Sequence, residues 1–158
     1  MFRTLSKLFG KRDRLSALSR QPDRRPFIHA LGESDVIVFA ALQSEGLDPA
    51  TVTEENLIAE IEKAVKDLNE RQGFEPFLYL SGDSKCLPFF STVDYAEIFC
   101  GEYSKQRNRV FPFQTLTVRG AVLASLLPGC NALVLNPRSS EEYVLSEADM
   151  KLLLEKWG

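Results

Sequence analysis

The side chains able to do chemistry are few and scattered. One histidine, His29, stands beside Phe27 and Ile28 in an apolar stretch, where a packed or surface imidazole explains it without catalysis. A hydroxyl or thiol nucleophile needs an imidazole or an equivalent base beside it, and no cysteine has a histidine near it in sequence. Cys86, Cys100 and Cys130 are an odd set without C-x-x-C spacing, which argues against a disulfide framework and against a zinc site. Each reads as a small buried hydrophobe kept reduced, which fits a cytoplasmic protein. No G-x-S-x-G, Walker-type or G-x-G-x-x-G pattern occurs. The paired carboxylates Glu54/Glu55 and Glu141/Glu142 are sequence neighbours and read as solvated. No catalytic residue, metal site or cofactor is therefore expected, and the chain is read as a non-enzyme.

One junction is more specific. Ser81-Gly-Asp-Ser-Lys85 precedes Leu87-Pro-Phe-Phe-Ser-Thr92, which runs a strand directly into a helix start. Backbone amides around Ser91, Thr92 and Val93 then form a candidate anion site. An ordinary helix cap by Ser91 or Thr92 explains the same residues.

The elements that must carry these residues follow from pattern. The 158 residues are 44% hydrophobic and 26% charged, enough for a single domain with its own core. Net charge is −3, but it is unevenly placed. The first 25 residues hold eight basic and two acidic side chains, a net of +6, and the remainder holds 11 basic and 20 acidic, a net of −9. An acidic body argues against nucleic acid as a partner. Residues 1–22 are read as a basic leader or tail, with an amphipathic helix over Met1 to Ser19. Phe2, Leu5, Leu8, Phe9, Leu15 and Leu18 form its stripe, interrupted by Gly10, with Lys7, Lys11 and Arg12 among the flanking cations. Packing on the chain's own domain, or disorder, is the first reading of this segment; as contacts, Phe2, Leu5, Lys7, Leu8, Phe9, Lys11 and Arg12 are the candidates for a partner or a membrane.

The body, residues 23–158, alternates helix and strand. Phe27 to Leu31 reads as a brief helix ended by Gly32, and Asp35 to Leu42 as a central strand covered on both faces. A long inserted helix at about 51–72 follows, capped by Thr51 or Thr53, with Thr51-x-x-Glu54 at capping-box spacing. Leu57, Ile58, Ile61, Ala64, Val65 and Leu68 line its apolar face. Phe74 to Ser81 and Lys85 to Phe90 read as a hairpin, and a helix then runs through Cys100 to Gly101. Phe113 to Val118 reads as a strand, Arg119 to Leu127 as a helix and Asn131 to Leu135 as a buried strand. Ser146-x-x-Asp149 caps a last helix with Met150, Leu153, Leu154 and Trp157 inward. The expected fold is α/β of the α+β-like kind: one mixed sheet with helices on its faces.

Phe27-Ile-His-Ala-Leu31 before a hydrophobic strand, Leu87-Pro-Phe-Phe-Ser-Thr92 leading into the Tyr95–Phe99 helix, and Ala132-Leu-Val-Leu-Asn-Pro137 resemble the SseB-like domain family. That family is similar in showing an "lPvFTs" strand–helix junction and an "lvlNPgs" strand–turn. The resemblance covers about Arg24 to Trp157. Phe90-Ser91 stands where the family has Phe-Thr, and Arg138 stands where Gly often follows Asn-Pro. The resemblance implies an α/β module without a catalytic set to transfer, in a family linked to secretion systems. The leading expectation is a non-catalytic, protein-binding module. Its partner would be a secretion component, a neutralised toxin or another regulatory protein. A small anionic-ligand sensor or enzyme at residues 91–93, and a peripheral membrane protein held by the leader, are the alternatives.

Overall fold

The computed structural model describes residues 14–41, 46–70 and 75–158. Leader residues Phe2, Leu5, Lys7, Leu8, Phe9, Lys11 and Arg12 lie outside the described residues, as do Leu42, Gly73 and Phe74. The elements are α1 (Arg14–Ser19), α2 (Arg25–Glu33), β1 (Asp35–Phe39), α3 (Glu54–Glu70), β2 (Tyr79–Ser81), β3 (Ser84–Phe89), α4 (Val93–Arg107), β4 (Thr115–Arg119), α5 (Val122–Leu126), β5 (Ala132–Leu135), β6 (Tyr143–Val144) and α6 (Glu147–Trp157). A 3-10 turn over Leu127–Gly129 extends α5. The mixed α/β class expected from the sequence is the class observed.

β1 organises the molecule. Its sequence, DVIVF, is β-branched and aromatic, and all but Asp35 is buried. It pairs antiparallel with β4 from Asp35↔Arg119 to Phe39↔Thr115. Along its other edge Ile37 exchanges two backbone bonds with Phe90, of 2.9 and 2.8 Å. Farther on, Phe77 donates its N–H to the Phe39 carbonyl at 2.8 Å, and Ala41 donates to Glu75 at 2.7 Å. The β1–β4 ladder thereby joins the second one, in which β2 and β3 form a hairpin, β3 runs parallel to β5, and β5 is antiparallel to β6. The result is one mixed sheet made of two ladders, with β1 hydrogen-bonded on both sides.

Successive residues of a strand point to opposite faces, and β1 feeds a different core on each. Val36 and Val38 enter a mainly aliphatic cluster with Leu15, Phe27, Ile28, Leu31, Leu87, Phe89, Leu123, Leu133, Leu135 and Leu153. Ile37 and Phe39 enter an aromatic cluster with Phe77, Phe90, Tyr95, Phe99 and Tyr103. Helices α1, α2, α5 and α6 supply the first cluster and α4 supplies the second.

Several boundaries differ from the sequence reading. Gly32 is not a left-handed helix stop: α2 runs through it to Glu33 and ends on extended Ser34. A Cβ on Gly32 would come within 2.0 Å of the Trp157 ring, so the glycine is there for close approach of α6. Gly101 does not close α4 either. That helix continues to Arg107 and ends on left-handed Asn108 at φ 51°, because Tyr103 beyond it belongs to the aromatic core. β2 is shorter than Phe74–Ser81, because Glu75 and Phe77 turn their backbone bonds to β1. Arg119 ends β4 rather than starting a helix, and α5 spans only Val122–Leu126. The α3 cap is Thr53 with Asn56, not Thr51 with Glu54: Asn56 N–H donates to Thr53 Oγ1 at 3.3 Å and Thr53 N–H to Asn56 Oδ1 at 2.8 Å. The Ser146–Asp149 capping box of α6 is present with both arms.

Candidate interaction surface

Folding does not gather the chemistry-bearing side chains. His29 is exposed on α2, 3.3 Å from the Glu33 carboxylate one turn on. The three thiols are free, with Cys86 buried and Cys100 and Cys130 only partly so, unlike the full burial read from the sequence. Burial, with Glu97 nearby, pushes the Cys100 thiol up to about 12, and burial also raises Cys86 and Cys130. All three therefore sit in their protonated, weakly nucleophilic form at neutral pH. Among the described residues no group of three or more His, Cys, Asp or Glu is placed to hold a metal ion.

The strand–helix junction at Ser91, Thr92 and Val93 is occupied by the protein itself. Asn136 Oδ1 accepts from the Ser91 N–H at 3.0 Å, and Asn136 Nδ2 donates to Ser91 Oγ at 3.0 Å. Thr92 Oγ1 accepts the Tyr95 N–H at 3.4 Å, which caps α4. Asn136 is fully buried in a left-handed conformation, φ 48°, so the Asn-Pro turn and the helix start lock together. Val93 is 57% exposed. Architecture accounts for these contacts.

A buried polar cluster that the sequence reading did not single out ties the chain ends together. The Arg24 guanidinium donates to both oxygens of Asp149, at 2.7 and 3.1 Å, and to the Tyr143 hydroxyl at 2.8 Å. The Tyr143 hydroxyl in turn donates to Asp149. Asp149 is fully buried. Burial alone would raise its carboxyl, but hydrogen bonds from Arg24, Tyr143 and the Ser146 backbone outweigh that and hold it below the usual carboxylate range. Arg24 is pushed up, chiefly by its bond to Asp149. The capping-box spacing marked Asp149, but no local pattern announces a partner 125 positions away.

Arg138, the residue after Asn136-Pro137, adopts the left-handed conformation that favours glycine, φ 64°. Its guanidinium lies 5.6 Å from the Phe99 ring and 5.9 Å from that of Tyr103, and donates to Gln106 Oε1 at 2.5 Å. Arg107 covers Tyr103 at 4.3 Å. Two cations thus close the rim of the aromatic core. Elsewhere, between α2 and α6, a hollow of about 320 Å³ is lined by Arg25, Ile28, Leu152, Glu155 and Lys156. Its mixed charges select no ligand sign.

α3 is different. Helical periodicity correctly marks its apolar residues, but the fold does not cover them all. Ile58, Ile61 and Val65 are 46, 38 and 38% exposed. No described residue of α3 belongs to either core cluster. Steps of three and four put these three residues on one strip, with Glu54 and Glu62 each one turn from Ile58. Glu55 stands one turn before Ile58 on the same flank. The strip is apolar at its centre and acidic along its edge.

No described helix is long and apolar enough to cross a membrane. Comparison with curated proteins and with solved structures gives no match. Comparison with protein families does: the SseB protein N-terminal domain matches residues 12–151. The match takes in the Leu87–Thr92 junction, the Asn136-Pro137 turn and α3, so the chain belongs to the SseB family through its N-terminal domain.

Proposed function

We propose that this protein is a non-catalytic, cytoplasmic protein-binding module whose α3 strip receives a basic, amphipathic segment. The observation that carries the reading is the exposure of Ile58, Ile61 and Val65 beside two finished cores. Exposed large aliphatic side chains grouped on one helix face favour a contact surface over a solvated one. The six acidic and two basic residues of α3 select a cationic partner. Thiols held protonated, without the histidine beside them, and a surface histidine paired to Glu33 support a role without chemistry. Free cysteines support a reducing compartment.

The test is affinity capture from native lysate with the full chain and with an Ile58→Glu/Ile61→Glu variant. The wild type is expected to retain a stoichiometric partner that the variant loses, with neither turning over a metabolite panel. A partner held equally by both, or turnover by the wild type, would overturn the proposal.

A further inference from the structure

A sheet is open to another strand wherever an outer edge is left unpaired, and β4 is the longest such edge among the described residues. β2 and β6 end the other ladder with three and two residues, and shortness is one way a fold blunts an edge. β4 has five, Thr115-Leu-Thr-Val-Arg119, in unbroken register with β1, with no proline and no bulge. Its one charged residue does not guard it. The Arg119 guanidinium donates back to the Glu33 carbonyl and lies 3.6 Å from the Asp35 carboxylate on β1.

Register decides which backbone groups are left over. Ala40 donates its N–H to the Gln114 carbonyl at 2.9 Å, and Gly120 donates to the Ser34 carbonyl at 2.8 Å. Between those two pairs the alternate residues Leu116 and Val118 turn their N–H and C=O to Val38 and Val36. Thr115, Thr117 and Arg119 therefore aim theirs away from β1, where no described strand pairs with them. All three are exposed. Leu116 and Val118 lie half-buried on the opposite face, at the margin of the aliphatic cluster.

An occupant of this edge must offer backbone groups at the same two-residue step, apolar residues beside Leu116 and Val118, and polar ones beside the threonines. β4 itself meets these conditions. Two copies set antiparallel about Thr117 place each Thr117 opposite its counterpart, Thr115 opposite Arg119, and Leu116 opposite Val118. The outward-facing pairs then exchange both their backbone bonds, the apolar residues meet on one face, and no like charges are opposed. Parallel pairing would instead set Arg119 beside Arg119. We infer that β4 is a self-association edge: a second copy pairs with it antiparallel across a two-fold axis at Thr117, which joins the two sheets into one. The inference uses no residue of α3 and stands apart from the proposed function.

The experiment is sedimentation velocity on the purified full chain over a concentration series, with Thr117→Lys and Thr117→Glu run alone and mixed. The wild type is expected to form a dimer and nothing larger, because an isologous contact closes on itself. Either variant alone opposes like charges at the axis and should raise the dimer Kd about tenfold, and mixing the two should restore the dimer. Mild oxidation of Thr117→Cys is expected to join two copies through position 117, since a hydrogen-bonded pair sets its Cα atoms about 5.5 Å apart. Thr115→Cys, opposite Arg119, should not link to its counterpart. A wild type that stays monomeric, a dimer indifferent to both charges, oligomers larger than a dimer, or linkage at 115 in place of 117 would overturn the inference.

Discussion

The two faces of the sheet are built on different terms. On one, four helices close over mostly leucine, isoleucine and valine side chains, with Phe27 and Phe89 among them. On the other, α4 is the one helix among the described residues in a layer of rings, with Phe99 at 5.5–6.3 Å from Phe39, Phe77, Tyr79, Phe90, Tyr103 and Phe113. Rings bury 150–250 Å² each, roughly, so a few of them let one helix close a face that takes several helices to close with aliphatic residues. The aliphatic side is sealed by polar ties between chain ends, Arg24 to Asp149, and the aromatic side by guanidiniums laid on the rim. No described side chain of α3 joins either cluster, and that is why its apolar strip reads as a surface for something else.

The comparison is broken most severely at Phe99. Phe99→Ala removes a ring from the middle of its layer and should cost about 4 kcal/mol, against about 3 for Leu133→Ala on the other face, read from denaturant unfolding. Equal or reversed costs would mean that α4 does not depend on its ring packing more than the other helices depend on theirs.

Next in size is the polar tie. Asp149→Ala leaves Arg24 without its carboxylate and should cost about 3 kcal/mol at neutral pH. The wild-type contribution also depends on pH with a definite sign. The folded carboxyl titrates below its unfolded value, so the stabilisation is complete above the unfolded pKa and is lost as pH falls through the folded one. Stability followed by melting temperature should therefore drop below about pH 4 in the wild type, with less of a drop in the variant. Parallel acid profiles for the two would contradict the assignment.

Arg138 tests the rim. Arg138→Gly relieves the left-handed backbone but loses two ring contacts, so its net effect should be within about 1 kcal/mol of zero. Arg138→Ala keeps the strain and loses the contacts, and should be about 1 kcal/mol worse than the glycine variant. Thermal unfolding of the pair resolves this. A glycine variant less stable than the alanine one would show that the conformation carries no cost there.

Much of this architecture was legible where the signal is local. DVIVF announced a doubly covered strand, Ser146 and Asp149 a capped helix, and Thr92 the start of α4. Glycines misled where their reason was tertiary: Gly32 admits Trp157, and the helix runs on through Gly101 because Tyr103 is needed in the core. The Arg24–Asp149–Tyr143 cluster joins residues too distant for any spacing rule. The α3 strip was visible as a periodic apolar face, but periodicity names the face without saying what lies over it. Only the fold shows Ile58, Ile61 and Val65 left open.

The smallest effect on the fold is the most telling. Replacing Ile58, Ile61 and Val65 together with serine, and measuring unfolding free energy in urea, asks directly whether the strip serves the domain or a partner. The account predicts a change within about 1 kcal/mol, because exposed side chains outside both clusters contribute little to the folded state. A loss of about 3 kcal/mol or more, the scale of an interior truncation, would place the strip in the core and contradict its role as a binding surface.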